Sequence, residues 1–268
     1  MKKAFITGIG GQDGSYLAEY LLELGYEVHG IVRRNSTPEH QQSRLDNIRN
    51  HKNLHVCYGD LNDTSGIERL LRDIQPDEVY NIAAQSHVRI SYEIPQFTVT
   101  TNAVGVVNIL EAVRNNCPKG ILFNHESPRR GSNFVTNKVV KAAVRIKLGL
   151  QNELELGNLD AYRDWGHSKD YIRAMHLILQ QPEAGDWVVA TGETRSVRDM
   201  CKYVFSQLDM NYEDYVVQNP KFLRPEELKY LKGDSTKIRE LGWKPEYTFE
   251  TMMDEMIQHW LDHFNKNK

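Results

Sequence analysis

A chain of 268 residues is long enough for one large domain or two modest ones with a proper core. With 40% apolar and 26% charged residues it has the make-up of a folded globular protein, and a net charge of −3 gives no whole-chain argument for nucleic-acid or membrane binding. No apolar run approaches the ~20 residues that span a bilayer. The Met1-Lys2-Lys3 start shows no signal-peptide pattern, and the scattered Cys57, Cys117 and Cys201 read as reduced thiols of a cytoplasmic protein.

Taken in order, Lys3 to Thr7 is a short apolar strand, and Gly14 to Leu24 is an apolar-periodic helix that ends at Gly25. Glu27 to Val32 is a second strand, followed by a polar arm to about Asn50. Leu54 to Tyr58 is a third strand, Ser65 to Ile74 a helix closed by Pro76, and Glu78 to Ala83 a fourth strand. Thr98 to Arg114 reads as one long helix. Strands and helices alternating at this spacing predict a parallel sheet with helices on both faces. The rhythm then breaks. Gly120 to Asn124 is already another strand, Phe134 to Leu150 a helix, and Leu154 to Leu156 a short strand. Asp170 to Leu179 is a helix, Trp187 to Ala190 a strand, Val197 to Leu208 a helix, and Phe249 to Phe264 an amphipathic helix signalled by Pro245 and Thr248. The pattern predicts an α/β chain with a Rossmann-type domain over 1–150 and a smaller mixed α/β substrate domain over 151–268. The strands near 122 and 189 are expected to return to the main sheet.

Thr7-Gly8-Ile9-Gly10-Gly11-Gln12-Asp13-Gly14 lies between a predicted strand and a predicted helix, the context in which a glycine motif signals dinucleotide binding. One glycine allows the tight turn, one lets the backbone approach the pyrophosphate, and one lets helix pack on strand. The helix N-terminus then offers N–H groups and a positive dipole end to the phosphates. The second strand ends in Arg33-Arg34 with no carboxylate. Paired guanidinium forks suit the 2′-phosphate of NADP rather than the ribose hydroxyl of NAD. Asp60-Leu61 is placed for the adenine, and Ala83-Ala84-Gln85-Ser86 for the nicotinamide half. No metal site is assigned. One pair is missing: reductases that open this way use Tyr-x-x-x-Lys to move protons, and none of the 13 tyrosines here has a lysine four residues on.

Further segments sharpen the picture. They are Ala83-Ala84-Gln85-Ser86-His87-Val88, Phe123-Asn124-His125-Glu126-Ser127-Pro128-Arg129-Arg130-Gly131, Arg163-Asp164-Trp165-Gly166-His167 and Arg224-Pro225-Glu226. With the opening signature, they resemble the extended short-chain dehydrogenase/reductase superfamily and, within it, the GDP-mannose 4,6-dehydratase family, over nearly the whole chain. The resemblance implies NADP as cofactor and GDP-mannose as substrate. The implied reaction oxidises the sugar at C4, eliminates water across C5 and C6, and reduces C6, giving GDP-4-keto-6-deoxymannose. It places Asn124 near the substrate diphosphate, His125 and Arg130 near NADP, Arg163 and Arg224 on the nucleotide phosphates, and Glu226 on the ribose. Gly10, Asn137 and Tyr162 depart from the family pattern, which has threonine, a basic residue and lysine there.

The resemblance also shows what is missing. The family carries a strand ending in Ser/Thr-x-Glu, then a helix bearing Tyr-x-x-x-Lys, between the Pro118 region and Ile121. Here Lys119 alone joins Pro118 to Gly120. One strand–helix crossover needs about 30 residues, so a whole unit is gone and no catalytic residue is assigned. Ser91-Tyr92-Glu93 and Thr191-Gly192-Glu193 reproduce the Ser/Thr-x-Glu spacing in other segments and read as structural. The missing helix pairs with the long helix in the family's dimer. A homo-oligomer is thus implied, and an apolar face on the long helix is expected to be exposed.

Overall fold

The computed structural model describes residues 1–34, 43–113, 119–223 and 227–266. The chain divides into two compact units, Met1–Pro118 with Leu179–Gly185, and Lys119–Ile178 with Asp186–Lys268.

The first unit follows the predicted alternation closely. Strands β1 (Lys3–Thr7), β2 (Glu27–Val32), β3 (Leu54–Tyr58) and β4 (Glu78–Asn81) form a wholly parallel sheet in the order β3-β2-β1-β4. Between them run α1 (Gln12–Glu23) and α2 (Thr64–Ile74), and after β4 come α3 (Val88–Glu93), α4 (Pro95–Val99) and α5 (Gly105–Val113). Parallel neighbours need crossovers, and the helices that supply them bury the sheet faces. Phe5 and Ile31 pack with Leu61, Ile67, Leu71 and Ile109 in one such core. Helix α2 starts at the Asp63 N-cap, whose carboxylate accepts from Gly66 N–H, and ends with Gln75 in the left-handed region at φ 50°.

The long helix expected over Thr98–Arg114 is interrupted. Helices α4 and α5 are separated by a π-helical turn over Thr100–Val104, where Thr98 and Thr100 bond back to the carbonyls of Ile94 and Gln96. Hydroxyls that bond back to helix carbonyls compete with the backbone ladder. Arg114 falls outside the described residues. Val99, Val104, Val107 and Leu110 are exposed along this segment, the apolar face anticipated above.

In the second unit, β5 (Lys119–Leu122), β6 (Asn124–Glu126) and α6 (Val135–Lys147) are followed by β7 (Leu154–Leu156), β8 (Tyr162–Arg163) and β9 (Trp165–His167). Then come α7 (Ser168–Leu179), β10 (Asp186–Val189), β11 (Arg195–Ser196), α8 (Val197–Ser206), β12 (Val216–Gln218), β13 (Tyr230–Leu231), α9 (Thr236–Glu240) and α10 (Phe249–Lys266). Helices α6, α8 and α10 enclose the main core of this unit, built on Val139, Val140, Met200, Phe205, Met252 and Met256. Helix α8 begins with a capping box in which Ser196 and Asp199 satisfy each other's backbone N–H groups.

Two expectations need correction. The single strand over Gly120–Asn124 is two short strands, because β5 pairs in parallel with β10 while β6 pairs in parallel with β9. Strands β5 and β10 thus pair as a two-stranded sheet, and among the described residues neither hydrogen-bonds to a strand of the four-stranded sheet. Among the described residues, no strand pairs with β4 on the side away from β1. The compact units accordingly part at Pro118 rather than near residue 150. No described helix is long and apolar enough to cross a membrane.

Candidate functional site

All four strands of the first unit run the same way, so their C-terminal ends share one edge. That edge carries Gly8–Gly14, Arg33–Arg34, Asp60–Leu61 and Ala83–Ser86. Strand order reverses between β1 and β4, and ligands of open α/β sheets bind at such a switch point. Thr7 ties the two strands together there: its hydroxyl donates to Asn81 Oδ1 at 2.7 Å and accepts from the N–H groups of Ile82 and Ala83, each at 3.1 Å.

The turn after β1 needs its glycines for definite reasons. Gly8 has φ +70°, and a Cβ on it would stand 3.0 Å from Ala83 Cα. A Cβ on Gly14 would lie 2.3 Å from the Gly8 carbonyl oxygen and 2.6 Å from Ile9 Cα. Gly11 N–H closes the turn onto the Gly8 carbonyl at 2.9 Å, and Gly11 is the N-cap of α1 with no side chain over the helix end. Ile9 is fully buried and fills the space that Gly30 leaves on β2, where a Cβ would be 2.3 Å from Ile9 Cδ1. The turn is thus a backbone cradle that side chains would fill, the geometry a pyrophosphate requires. Gln12 donates to Asp13 within the first turn of α1.

Arg33 and Arg34 are exposed just beyond β2, over the rings of Phe97 and Tyr58 at 5.3 and 5.5 Å. Asp60 accepts from Asn62 N–H, and buried Leu61 is held through its carbonyl by Asn108 at 2.7 Å. Gln85 is braced by Asn102 and Thr98, while Ala84 and Ser86 are exposed. His87 caps α3, its ring nitrogen accepting from Ile90 N–H.

The predicted residues of the second unit sit in a different environment. His125 pairs in register with Gly166, and that missing side chain makes room for the Tyr171 ring, which stacks on His125 at 4.6 Å. The His125 Nδ1 lies 2.7 Å from the Phe123 carbonyl. Burial pushes the Tyr171 hydroxyl pKa up, with the nearby Asp164, Asp170 and Glu126 carboxylates adding to the effect. Arg130 spreads its guanidinium over Phe134 at 3.6 Å, with Nε 3.0 Å from the buried Glu126 carboxylate. That carboxylate also accepts from Thr136 at 2.6 Å. Asn124 is half-buried on β6 opposite Trp165. Arg163 donates to the carbonyls of Tyr162 and Leu228, both at 2.7 Å, and faces Glu227 at 3.6 Å. Arg224 and Glu226 lie outside the described residues.

Buried acids that the sequence reading passed over organise this unit. Asp164 is fully buried and accepts from Thr191 N–H and hydroxyl, Gly192 N–H and Gly233 N–H, at 2.9, 2.6, 2.9 and 3.3 Å. Asp170 accepts from the N–H groups of Glu246 and Tyr247. An acid flanked by Arg163 and Trp165 between two short strands was the available signal. Asn137, where the resemblance implies a basic residue, bridges the Arg130 carbonyl and Trp260 Nε1. Tyr162, in place of lysine, is exposed beside Tyr230. Of the two Ser/Thr-x-Glu look-alikes, Thr191 and Gly192 serve Asp164, and Glu93 pairs with Arg89 on an exposed helix.

A parallel α/β sheet with a glycine cradle at its switch point defines a Rossmann-type protein of the short-chain dehydrogenase/reductase kind. Solved structures agree on the fold: UDP-glucose 4-epimerase of Thermotoga maritima superposes at TM-score 0.82 with 19% identity, covering 98% of this chain and 99% of that one. RMD of Pseudomonas aeruginosa, complexed with NADPH, gives 0.74 and 20%, covering 98% and 100%. Sequence comparison is more specific. The model of the GDP-mannose 4,6 dehydratase family matches residues 5–119 and 115–256. GDP-mannose 4,6 dehydratase 1 of Arabidopsis thaliana is 40% identical over 333 aligned positions, covering 100% of this chain and 92% of the relative. The human GDP-mannose 4,6 dehydratase is 36% identical, covering 95% and 90%. The chain belongs to the GDP-mannose 4,6-dehydratase family, a family of hydro-lyases. Two further facts bear on its completeness: the family match comes in two stretches that meet at 115–119, and 333 aligned positions against 268 residues leave at least 65 without a residue of this chain.

Proposed function

We propose that this chain binds NADP and GDP-mannose as its family does, and that its conversion of GDP-mannose to GDP-4-keto-6-deoxymannose is impaired by loss of one strand–helix unit. The observation that carries the reading is an intact glycine cradle in a sheet that stops at β4, in a chain whose family match breaks at 115–119. In this reading the Gly8–Gly14 turn and the N-terminus of α1 receive the pyrophosphate, and Arg33 and Arg34 take the 2′-phosphate. Asp60, Leu61 and the Ala83–Ser86 segment line the adenine and nicotinamide halves, while His125 and Arg130 serve the same cofactor. Asn124, Arg163, Arg224 and Glu226 take the GDP-sugar. A bound nicotinamide supplies the hydride exchange; proton transfer at the sugar is left to the protein.

Proton transfer is where the chain falls short. One positioned acid or base is worth about 10²–10⁴ in rate, and groups that act together fail together. The residues that would deprotonate the C4 hydroxyl and C5 belong to the absent unit. The exposed Val99, Val104, Val107 and Leu110 are the surface a homodimer of the family's kind would cover. Cytoplasmic residence is part of the same proposal.

The test is to incubate the purified chain with NADP⁺ and GDP-mannose, following 4-keto product and ligand-induced melting shift together. A shift without useful product is expected. Product at a rate ordinary for an enzyme overturns the claim of impairment, and the absence of any shift overturns the claim of binding and marks a defective deletion product.

A further inference from the structure

Strands β2 and β3 carry a polar group of residues that the dinucleotide site does not use. Side chains alternate along a strand, so Glu27, His29 and Ile31 project from one face of β2. His29 is paired in register with His55 of β3, and Ile31 with Cys57. Further along the same face Ile31 joins the core formed with Phe5, Ile67 and Leu71. An acid and two imidazoles thus lie on the same strand face as this apolar core, with Lys3 in register beside Glu27. Local violations of a core pattern of this kind point to function more often than they help folding.

Their arrangement is specific. Both imidazoles turn Nε2 towards the same carboxylate oxygen, with His29 Nε2 at 2.8 Å and His55 Nε2 at 3.6 Å from Glu27 Oε1. The rings stack with centroids 4.7 Å apart, and the three ligand atoms lie within 4.8 Å of one another. Nitrogen and oxygen donors bind zinc at about 2.0–2.2 Å, which spaces ligand atoms roughly 3–3.5 Å apart in a tetrahedral shell. The separations of the two imidazole nitrogens from Glu27 Oε1 bracket that range, and the half-exposed His55 is the ligand with room to move. Because β3 is the sheet edge, the side of the cluster next to His55 is open to water.

We propose that Glu27, His29 and His55 form a binding site for one divalent transition-metal ion of the zinc class, clamping β2 to β3 and keeping a water-facing coordination position. Two imidazoles and one carboxylate are a donor set that zinc accepts. One group opposes the ion. Lys3 pairs in register with Glu27 and adds positive charge to the same cluster, though its ammonium is drawn to the Ile74 carbonyl at 3.2 Å.

The test uses the full chain, stripped with a chelator and titrated with Zn²⁺ by calorimetry and with Co²⁺ by its visible d–d absorption. We expect one equivalent bound, a low-symmetry Co²⁺ spectrum, and a rise in melting temperature with Zn²⁺. His55→Ala, a half-exposed change whose fold is checked by circular dichroism, should weaken uptake at least tenfold. Lys3→Met should tighten it, and His51→Ala, outside the set, should leave it unchanged. Glu27→Gln provides a second loss variant should His55→Ala perturb the strand edge. Absence of stoichiometric uptake overturns the site. So does uptake that neither His55→Ala nor Glu27→Gln weakens, since the ion would then be held elsewhere.

Discussion

The two units hold their candidate residues in opposite ways. At the strand ends of the first unit, the site is backbone and outward-facing side chain: a glycine turn with room only for glycine at Gly8 and Gly14, and Arg33 and Arg34 exposed beyond β2. In the second unit the corresponding residues are engaged within the protein. Arg130 is against Glu126 and Phe134, Arg163 is on two carbonyls, and His125 is on the Phe123 carbonyl and the Tyr171 ring. The difference separates ligand affinity from stability. Changes in the first set should act mainly on binding, and changes beneath the second set mainly on folding.

The largest effect should come from the second unit. Asp164→Ala removes the acceptor of one buried and two partly buried backbone N–H groups and of one hydroxyl. Each unsatisfied buried donor costs about 1–3 kcal/mol, so a loss of about 3–5 kcal/mol is expected, measured as a fall in the denaturant midpoint. Asp164→Asn should recover only part, because its amide nitrogen would face another donor. If either variant proves as stable as the parent, this network is not what holds the unit together.

In the first unit, Gly14→Ala tests the cradle. Its methyl would stand 2.3 Å from the Gly8 carbonyl, a backbone atom that cannot swing aside. Overpacking of this kind costs about 1–3 kcal/mol, and displacement of the turn should abolish the NADP-induced melting shift. Gly25→Ala is the control: Gly25 has φ +82° with open space around it, so it should lose stability through backbone strain alone and keep the NADP response. A variant at Gly14 that still responds to NADP would show that the cofactor does not sit on this turn.

Replacing both Arg33 and Arg34 with serine should change stability little, because both are exposed. Their role in the proposal is to discriminate the 2′-phosphate. Titration with NADPH and NADH should show NADPH affinity reduced about tenfold or more, near 1.4 kcal/mol, with NADH unaffected. Equal losses for both cofactors would mean that the pair acts as a general electrostatic attractor.

The same division explains what could be read in advance. Strands β1, β2 and β3 match their predicted bounds because apolar alternation and the punctuation of Gly8, Gly25 and Gly59 are local signals. The glycine cradle was legible for the same reason, since the left-handed φ of Gly8 and the contact of Gly14 with the Gly8 carbonyl lie within eight residues. Tertiary context decided the rest. The π-helical turn at Thr100–Val104 breaks a helix whose periodicity looked continuous. Phe123 splits an apolar run into strands that pair with different partners, β10 and β9. Two-residue strands such as β8 and β13 carry too little sequence to announce themselves. Asp164 was invisible as a network centre because its partners lie 27 to 69 residues away. Glu27, His29 and His55 come together only through the β2–β3 register.

The smallest expected effect is a pH dependence confined to the second unit. Buried His167 stacks on Tyr247 at 3.9 Å, and its Nε2 lies 2.8 Å from the Glu255 carboxylate, which Lys169 also approaches at 3.2 Å. The hydrogen bond with His167 foremost, and the Lys169 ammonium beside it, hold the Glu255 carboxyl down at about 2, against burial that pushes the other way. A carboxyl whose pKa is lower in the folded than in the unfolded state contributes its full stability above the unfolded value near 4.5. It loses that contribution as pH falls towards about 2. The unfolded chain binds the proton first, so stability should decline as pH is lowered from 5 to 3. Glu255 keeps some access to water, which screens the pair, and the contribution is on the order of 1 kcal/mol. Urea midpoints across that range should fall less steeply in Glu255→Gln than in the parent, while the two converge at the acid end. Parallel profiles would assign the acid sensitivity to other carboxylates, of which Glu78 in the first unit is the natural comparison. Glu78 is buried, yet the hydrogen bonds from Gln180, Tyr80, Lys2 and Tyr26 lower its carboxyl despite that burial. A Glu78→Gln variant with a flatter profile than Glu255→Gln would place the acid-sensitive contact in the first unit.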